Sequence, residues 1–307
     1  MATRATETTI NNLNSFFVSA LDKNSNSFFS DLEFTKNQNI YTSSMVYYWP
    51  SDGSQLSFFA YAPSKTELGG TLTINASEKK LTDFSPKTTI SEQKDFITAT
   101  ATGSKADEAA GVALTFAHRL SQIEVKAKNA NEAYVFKVTG VRIGQPVSKG
   151  AFDFTTSAWT LNTDTKAKYD VTYTEAKTLS ANAISIMGNE NDNAMLLPQR
   201  LVKWDAENDK NNSKKGAYLS VQVNIKTKDG AQVYPHNAAK EYGWVAVPID
   251  TNWEAGKKYV YTLDFSNGAG KVDPEEPNPG VDILGQAIKF TVTVDSWQDA
   301  QQPDIIM

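Results

Sequence analysis

Cysteine is absent from this 307-residue chain, and histidine occurs only as His118 and His236. The first absence excludes disulfide bonds, thiolate metal sites and cysteine nucleophiles. The scarcity of histidine leaves two residues that could serve in a Ser-His-Asp triad, and neither is accompanied by the pattern of a nucleophile elbow. His118 alternates with Phe116 and Leu120, which is typical of a hydrogen-bonded histidine inside a core. We therefore predict that the protein is not an enzyme and binds no cofactor.

Long apolar runs and a basic surface are also missing from the sequence. No apolar stretch reaches the about 18 residues that a transmembrane helix needs, and the N-terminus lacks the apolar region of a signal peptide. The net charge is −5, with 30 lysines and arginines scattered among 35 acidic residues. Because no basic stripe with interleaved aromatic residues occurs, nucleic acid is not a predicted partner.

The pattern that dominates the chain is the alternation of apolar and polar residues. It is clearest at Ile288, Phe290, Val292 and Val294, and a period of two is typical of a strand with one buried face. Further strands are predicted at residues 16–21, 56–62, 71–74, 96–100, 114–127, 134–143, 219–225 and 259–265. Turn-forming pairs such as Asn267-Gly268 separate the strands, and no amphipathic helix longer than about two turns is visible. An all-β chain of packed sandwiches is therefore predicted.

The most plausible domain boundary is the small, polar stretch at residues 100–111, which lacks large apolar side chains as linkers do. Dividing the chain there predicts an N-terminal sandwich at residues 1–108 and a C-terminal sandwich with long loops at residues 109–307. A second soft stretch, at residues 270–280, lies between two predicted strands, and we interpret it as a long loop within the second sandwich.

The sequence offers candidates for three kinds of binding or catalytic site. Residues 189–193 and 205–211 are rich in oxygen ligands, but Lys210 and Gly216 stand where a calcium loop needs glycine and glutamate, so solvated loops are favoured. Paired carboxylates of a glycoside hydrolase stay open, because their separation is a three-dimensional quantity. Tyr47, Tyr48 and Trp49 are candidates for sugar binding, although clustered aromatic residues in a β protein are more often part of the core.

Five segments, in order along the chain, together resemble the fimbrillins, the type V pilin family of surface lipoproteins, and most closely the fimbrillin-like branch of gut Gram-negative bacteria. The segments are Tyr47-Tyr48-Trp49-Pro50 with residues 56–63, residues 114–125, Met195-Leu196-Leu197-Pro198-Gln199, residues 253–261, and the alternating strand from Ile288 to Val294 followed by Trp297. The resemblance implies two tandem transthyretin-like β-sandwiches. It also implies a precursor carried to the outer membrane and cell surface by a lipid anchor lost upstream.

The resemblance further implies how such a subunit assembles. In the family, an arginine-specific protease cuts ahead of the first retained strand, and a strand from the C-terminus of another subunit fills the groove that opens. Arg4-Ala5 matches the expected processing position, and the other three arginines lie in or beside predicted strands. The partners implied are other pilin subunits, with host glycans or proteins as an alternative for an adhesin.

The candidate donor strand consists of Ile288, Phe290, Val292 and Val294, with Ile305 and Ile306 in the tail. Ten residues follow Trp297, which is short for a donor. Two expectations follow from this length. Either the strand around Phe290 leaves the second sandwich to donate, or the subunit donates poorly, as an accessory, tip or terminating subunit would. A surface adhesin is the alternative function, marked by an exposed aromatic patch at Tyr47 or Trp159.

Overall fold

The computed structural model describes residues 8–297 except for residues 10, 39, 188–192, 208–215, 238 and 286. Apart from one four-residue helix, α1 (Lys65–Leu68), and two single 3-10 turns at Ile90–Glu92 and Lys105–Asp107, the regular structure of this part is β. In chain order the strands are β1 (Ser15–Leu21), β2 (Ser27–Asn37), β3 (Ile40–Ser43), β4 (Leu56–Ala62), β5 (Thr71–Ile74), β6 (Lys79–Phe84), β7 (Ile97–Gly103), β8 (Ala117–His118), β9 (Ser121–Lys128), β10 (Tyr134–Val147), β11 (Gly150–Asp153), β12 (Ala158–Leu161), β13 (Lys166–Thr178), β14 (Ile184–Ser185), β15 (Ala194–Leu196), β16 (Gln199–Arg200), β17 (Tyr218–Thr227), β18 (Gln232–Tyr234), β19 (Gly243–Pro248), β20 (Asn252–Trp253), β21 (Lys257–Asp264), β22 (Lys271–Val272) and β23 (Lys289–Ser296). The all-β prediction is confirmed.

Four main sheets contain these strands, and β16 pairs with β20 in a small fifth one. Sheet I has the order β3-β2-β1-β4-β7-β8, and sheet II has the order β12-β11-β6-β5. Sheet III has the order β13-β10-β17-β19-β22, with β18 paired to β17. Sheet IV has the order β14-β9-β21-β23, with β15 also paired to β9. Within sheet IV, β9 and β21 run parallel, and the other pairs of the four sheets are antiparallel.

The central strands of sheet I, β1 and β4, are buried on both faces, which explains why β4 is apolar at all positions but Ser57. One face presents Phe59 and Tyr61 to the core shared with sheet II. The other face presents Phe58 and Ala60 to a second core. Loops cover this second core, and their buried side chains are Leu13, Val112, Leu114 and Phe116. Sheet I is thus the middle layer of the first half, between sheet II and a layer of loops.

Sheets III and IV form the second half. The apolar side chains that alternate along their strands fill the space between the two sheets. The side chains of Val221 and Val223 on β17 and of Tyr259 and Tyr261 on β21 belong to one core and are almost fully buried. The predicted alternation at residues 219–225 and 259–265 is therefore confirmed. On the opposite face of sheet III, two polar side chains contact Asp273, where a loop begins.

That loop is held by buried charges. Asp273 has no exposed surface, and its carboxylate accepts hydrogen bonds from Ser220 and from Arg142 (3.2 Å). Arg142 also forms a bidentate pair with Asp170, with both distances at 2.9 Å, and its guanidinium lies 4.3 Å from the ring centre of Trp244. The soft stretch at residues 270–280, which the sequence analysis interprets as a long loop, thus contains the short edge strand β22 of sheet III, and the loop begins after it at Asp273.

The two halves are joined by more than the connection between β8 and β9. The hairpin of β11 and β12 lies after residue 108, yet β11 pairs with β6 of the first half, in a register that places Gly150 opposite Phe84. One hydrophobic core extends from sheet II through sheets III and IV. The division into residues 1–108 and 109–307, as two tandem transthyretin-like domains, stays a prediction.

Candidate functional site

The predicted functional residues lie at the chain ends, and the structure describes part of them. Arg4 and Ala5, the candidate processing site, and Ile305 and Ile306 of the tail lie outside the described residues. Ile288 directly precedes β23, and Phe290, Val292 and Val294 lie in it. Their roles in processing and donation stay predictions, and β23 can be placed in detail.

β23 is an edge strand of sheet IV. It pairs with β21 over eight residue pairs, from Lys289 opposite Asp264 to Ser296 opposite Lys257. Among the described residues, no second strand pairs with β23, so the backbone groups on its outer side are available to another strand. Such an edge is the surface to which strand addition extends a sheet.

The apolar row of β23 becomes less covered along the strand. Ile288, just before it, is 4% exposed, Phe290 and Val292 are half-buried, and Val294 is 51% exposed. Phe290 and Val292 pack against the rim of the main core, whereas Val294 does not. The described part of the chain therefore leaves some of the inward-facing row of this edge strand uncovered.

Directly after β23, the chain is buried again by a stack of two rings. The indole of Trp297 lies parallel to the imidazole of His118, with ring centroids 4.1 Å apart and an interplanar angle of 8°. The backbone N–H of Trp297 donates to the carbonyl of Gly256 at 2.9 Å. Trp297 is 5% exposed. The last described residue of the chain is thus held against β8 of sheet I.

His118 also contacts a buried carboxylate. Its Nδ1 lies 2.9 Å from Oδ2 of Asp95, and both side chains have no exposed surface. The backbone N–H of Thr8 donates to the same Oδ2 at 2.8 Å. The first and the last described residues, Thr8 and Trp297, therefore meet at a single buried pair. The prediction that His118 is a hydrogen-bonded core histidine agrees with this arrangement.

Sequence reasoning did not identify Asp95 or connect Trp297 with His118. His118 and Trp297 each lie in a segment that carries the resemblance, but in two different segments. Asp95 precedes β7 in a stretch without a regular pattern. Only the antiparallel pairing of β7 with β8, which sets Ile97 opposite His118, brings the carboxylate to the ring.

A second exposed feature is the apolar loop after β3. Tyr48 is 84% exposed, and Met45 and Val46 are 57% and 75% exposed. Tyr47 and Trp49 are instead half-buried against the second core. Trp159, the other residue considered for an aromatic patch, is half-buried, and its Nε1 donates to the carbonyl of Arg119 at 2.7 Å. Of the aromatic residues predicted as sugar-binding candidates, Tyr48 is therefore the one that faces solvent.

The cavity next to His236, in the part of the chain that the structure describes, does not bring two carboxylates together. A cavity of about 310 Å³ beside His236 contains one carboxylate, that of Glu276, which pairs with Lys240 at 2.6 Å. Within the described ranges, no three histidine, aspartate or glutamate side chains are grouped as metal ligands would be. In the same ranges no helix has the length and apolar character needed to cross a membrane.

Comparison with known proteins identifies the family. The sequence profile of the fimbrillin-like family matches residues 3–297. The fold is similar to that of a fimbrial protein from Bacteroides vulgatus, with a TM-score of 0.66, 18% identity and 92% of each chain covered. It is also similar to a proposed cell adhesion protein from Bacteroides uniformis, with a TM-score of 0.53, 16% identity, and 97% and 95% coverage of the two chains. No protein with curated function matches the sequence. The chain belongs to the fimbrillin-like family.

Proposed function

We propose that this protein is a structural or accessory subunit of a surface fibre, which assembles by strand exchange after proteolysis at Arg4-Ala5. Membership of the fimbrillin-like family supports a role in a pilus or in adhesion. The observation that carries strand exchange is β23, an edge strand whose inward-facing row ends in the half-exposed Val294. The partners are other pilin subunits. The location is the outer membrane and cell surface, reached as a lipoprotein precursor, and no catalytic activity is proposed.

The other arginines are poor alternatives for processing. Arg142 is buried in β10 with three hydrogen bonds to aspartates, and Arg119 donates from Nε to the hydroxyl of Thr98 at 2.7 Å. Arg200 is exposed, but it lies in β16, where it pairs with Asn252. Because proteases need an extended and accessible backbone, these three arginines are disfavoured, which leaves Arg4 as the proposed cleavage site.

Donation by β23 itself would have a considerable energetic cost. Its release would expose Ile288 and Trp297, and burial of a large apolar side chain contributes about 1.5–3 kcal/mol. It would also break the ladder with β21, at about 0.5–1.5 kcal/mol for each hydrogen bond. A groove on another copy that covers Phe290, Val292 and Val294, together with Ile305 and Ile306 of the tail, would offset this loss with contacts of the same kind.

The experiment that tests the proposal compares Arg4→Ala with Arg200→Ala. Each purified chain is treated with an arginine-specific protease and then sized by light scattering. We expect the wild type and Arg200→Ala to be cut after Arg4 and to form multimers, while Arg4→Ala stays uncut and monomeric. If Arg4→Ala were processed and assembled like the wild type, Arg4 would not be the processing site.

An adhesin is the second candidate function, and the exposure of Tyr48 favours it. A tyrosine ring that faces solvent can stack on the apolar face of a sugar or of a protein side chain, so host glycans or proteins are the partners of this alternative. We expect Tyr48→Ala to remove any signal on a glycan array, with Tyr242→Ala as the control. A wild-type chain that gives no hits would leave the fibre subunit as the remaining function.

A further inference from the structure

The buried pair of Asp95 and His118 contacts both ends of the described chain. Oδ2 of Asp95 accepts the N–H of Thr8, and the ring of His118 stacks on Trp297 directly after β23. We infer that Asp95 and His118 are positioning residues that couple the N-terminal segment to β23, so that loosening one chain end loosens the other. This inference rests on the proposed function in one respect: that function makes the N-terminal end the processed segment and β23 the donor strand. The coupling itself does not depend on it.

The first half of the coupling is electrostatic. A carboxylate without exposed surface needs hydrogen-bond donors, because burial of an unpaired charge is costly. For Asp95 these donors are Thr8 and His118, and both reach Oδ2, while Oδ1 has no hydrogen-bond partner among the described residues. The N–H of Thr8 is therefore a large share of what satisfies this carboxylate. Bonds to charged acceptors are also stronger than neutral ones.

The second half of the coupling is steric. The hydrogen bond to Asp95 contributes to the orientation of the His118 ring, and the indole of Trp297 stacks on this ring with the two centroids 4.1 Å apart. Nε1 of the indole is buried without a hydrogen-bond partner in the described part of the chain, so stacking and the backbone bond to Gly256 hold Trp297 in place. A His118 ring that turned would remove the surface on which the end of β23 rests.

The consequence is an order of events. A cut after Arg4 leaves Thr8 as the fourth residue of the shortened chain, and chain ends fray. Fraying of Thr8 removes a donor from Asp95, which weakens the fixed position of His118 and therefore of Trp297. Processing thus lowers the free energy needed to release β23, and the uncut precursor keeps this strand in its own sheet.

The test uses proline substitutions in the uncut chain, because proline removes the backbone N–H. Thr8→Pro deletes the donor to Asp95, and Thr9→Pro, the matched control, deletes the neighbouring N–H that donates to Asn12 at 2.6 Å. We expect hydrogen exchange at residues 289–296 to be about fivefold faster or more in Thr8→Pro, the lower end of typical coupling between sites. Exchange in Thr9→Pro should match the wild type. Exchange in β13, an edge strand of sheet III, should stay unchanged in both variants.

Coupling between two sites is reciprocal, so a change at Trp297 should also affect Thr8. A purely local role of Trp297 would leave Thr8 unchanged. Trp297→Ala removes the stacked ring, and it should speed exchange of the Thr8 amide by a similar factor. The coupling is overturned if Thr8→Pro leaves β23 unchanged, or if the two proline variants affect it equally. These measurements use the uncut monomer, so their outcome does not depend on assembly. A chain that never assembles can still show the coupling, and a chain that assembles normally can lack it, so the two proposals can fail separately.

Discussion

Tyr169 and Tyr261 show how the burial of single polar groups sets the pH range in which the protein is stable. Both rings are almost fully buried. The hydroxyl of Tyr261 accepts a hydrogen bond from Nε1 of Trp253 at 2.9 Å, whereas the hydroxyl of Tyr169 has no partner among the described residues. Burial raises the pKa of Tyr261 to about 12 and raises the pKa of Tyr169 above its ordinary value as well.

These pKa shifts predict a loss of stability at high pH. An unfolded tyrosine releases its proton near pH 10, while the buried one keeps it, so the native state binds more protons in this window. The contribution of the buried, protonated tyrosines to the free energy of unfolding is complete below pH 10, and it is lost as the pH rises through their pKa in the folded state. We expect the free energy of unfolding to fall between pH 10 and 12, and to fall less steeply in Tyr169→Phe. Urea unfolding across this range measures the slope, and equal slopes would contradict the assignment.

At neutral pH the same two tyrosines should respond in opposite ways to replacement by phenylalanine. Tyr261→Phe leaves the buried Nε1 of Trp253 without its acceptor and should cost about 1–3 kcal/mol. Tyr169→Phe removes a hydroxyl without a partner and should leave the free energy of unfolding unchanged or slightly higher. A larger loss in Tyr169→Phe than in Tyr261→Phe would contradict this ranking.

At the scale of the element, β23 has a well-buried beginning and a partly uncovered end. Ile288→Ala should lower the free energy of unfolding by about 2–5 kcal/mol, because it leaves a cavity in the core. Val294→Ala, in the same apolar row but 51% exposed, should cost less than about 1 kcal/mol in the monomer. Urea unfolding of both variants checks the contrast, and equal losses would show that the row is uniformly packed.

Elements with one buried face were predictable from sequence, and elements without one were not. The alternation in β17, β21 and β23 predicts strands because one side of each packs on the core. β13 is long, but its side chains are mostly exposed or half-buried, so no apolar period marks it. The pairing of β11 with β6 was also hidden, since strand partners far apart in the chain leave no local pattern. Asp95 escaped prediction for the same reason, because its partners come from distant segments.

At the scale of the whole molecule, the resemblance and the strand pattern predicted the family and the all-β fold, and the structure adds where the chain ends meet. Sheet I lies between two cores, and the ends converge on His118 at its edge strand β8. Each polar residue of the site comes from a different segment of the chain, so no pattern in the sequence groups these residues. If the chain is processed and assembles as proposed, release of β23 would therefore depend on the state of the N-terminal segment.

The most direct test of strand exchange asks whether the C-terminus of one copy contacts the first half of another. Since the chain has no cysteine, Ile306→Cys introduces a unique thiol for a reagent that joins thiols to lysines. Copies of normal and heavy isotope content are mixed, cut with the arginine-specific protease and cross-linked. We predict mixed-isotope links from position 306 to lysines of residues 1–108, such as Lys36. Links confined to single copies in the cut and assembled material would contradict the proposed strand exchange.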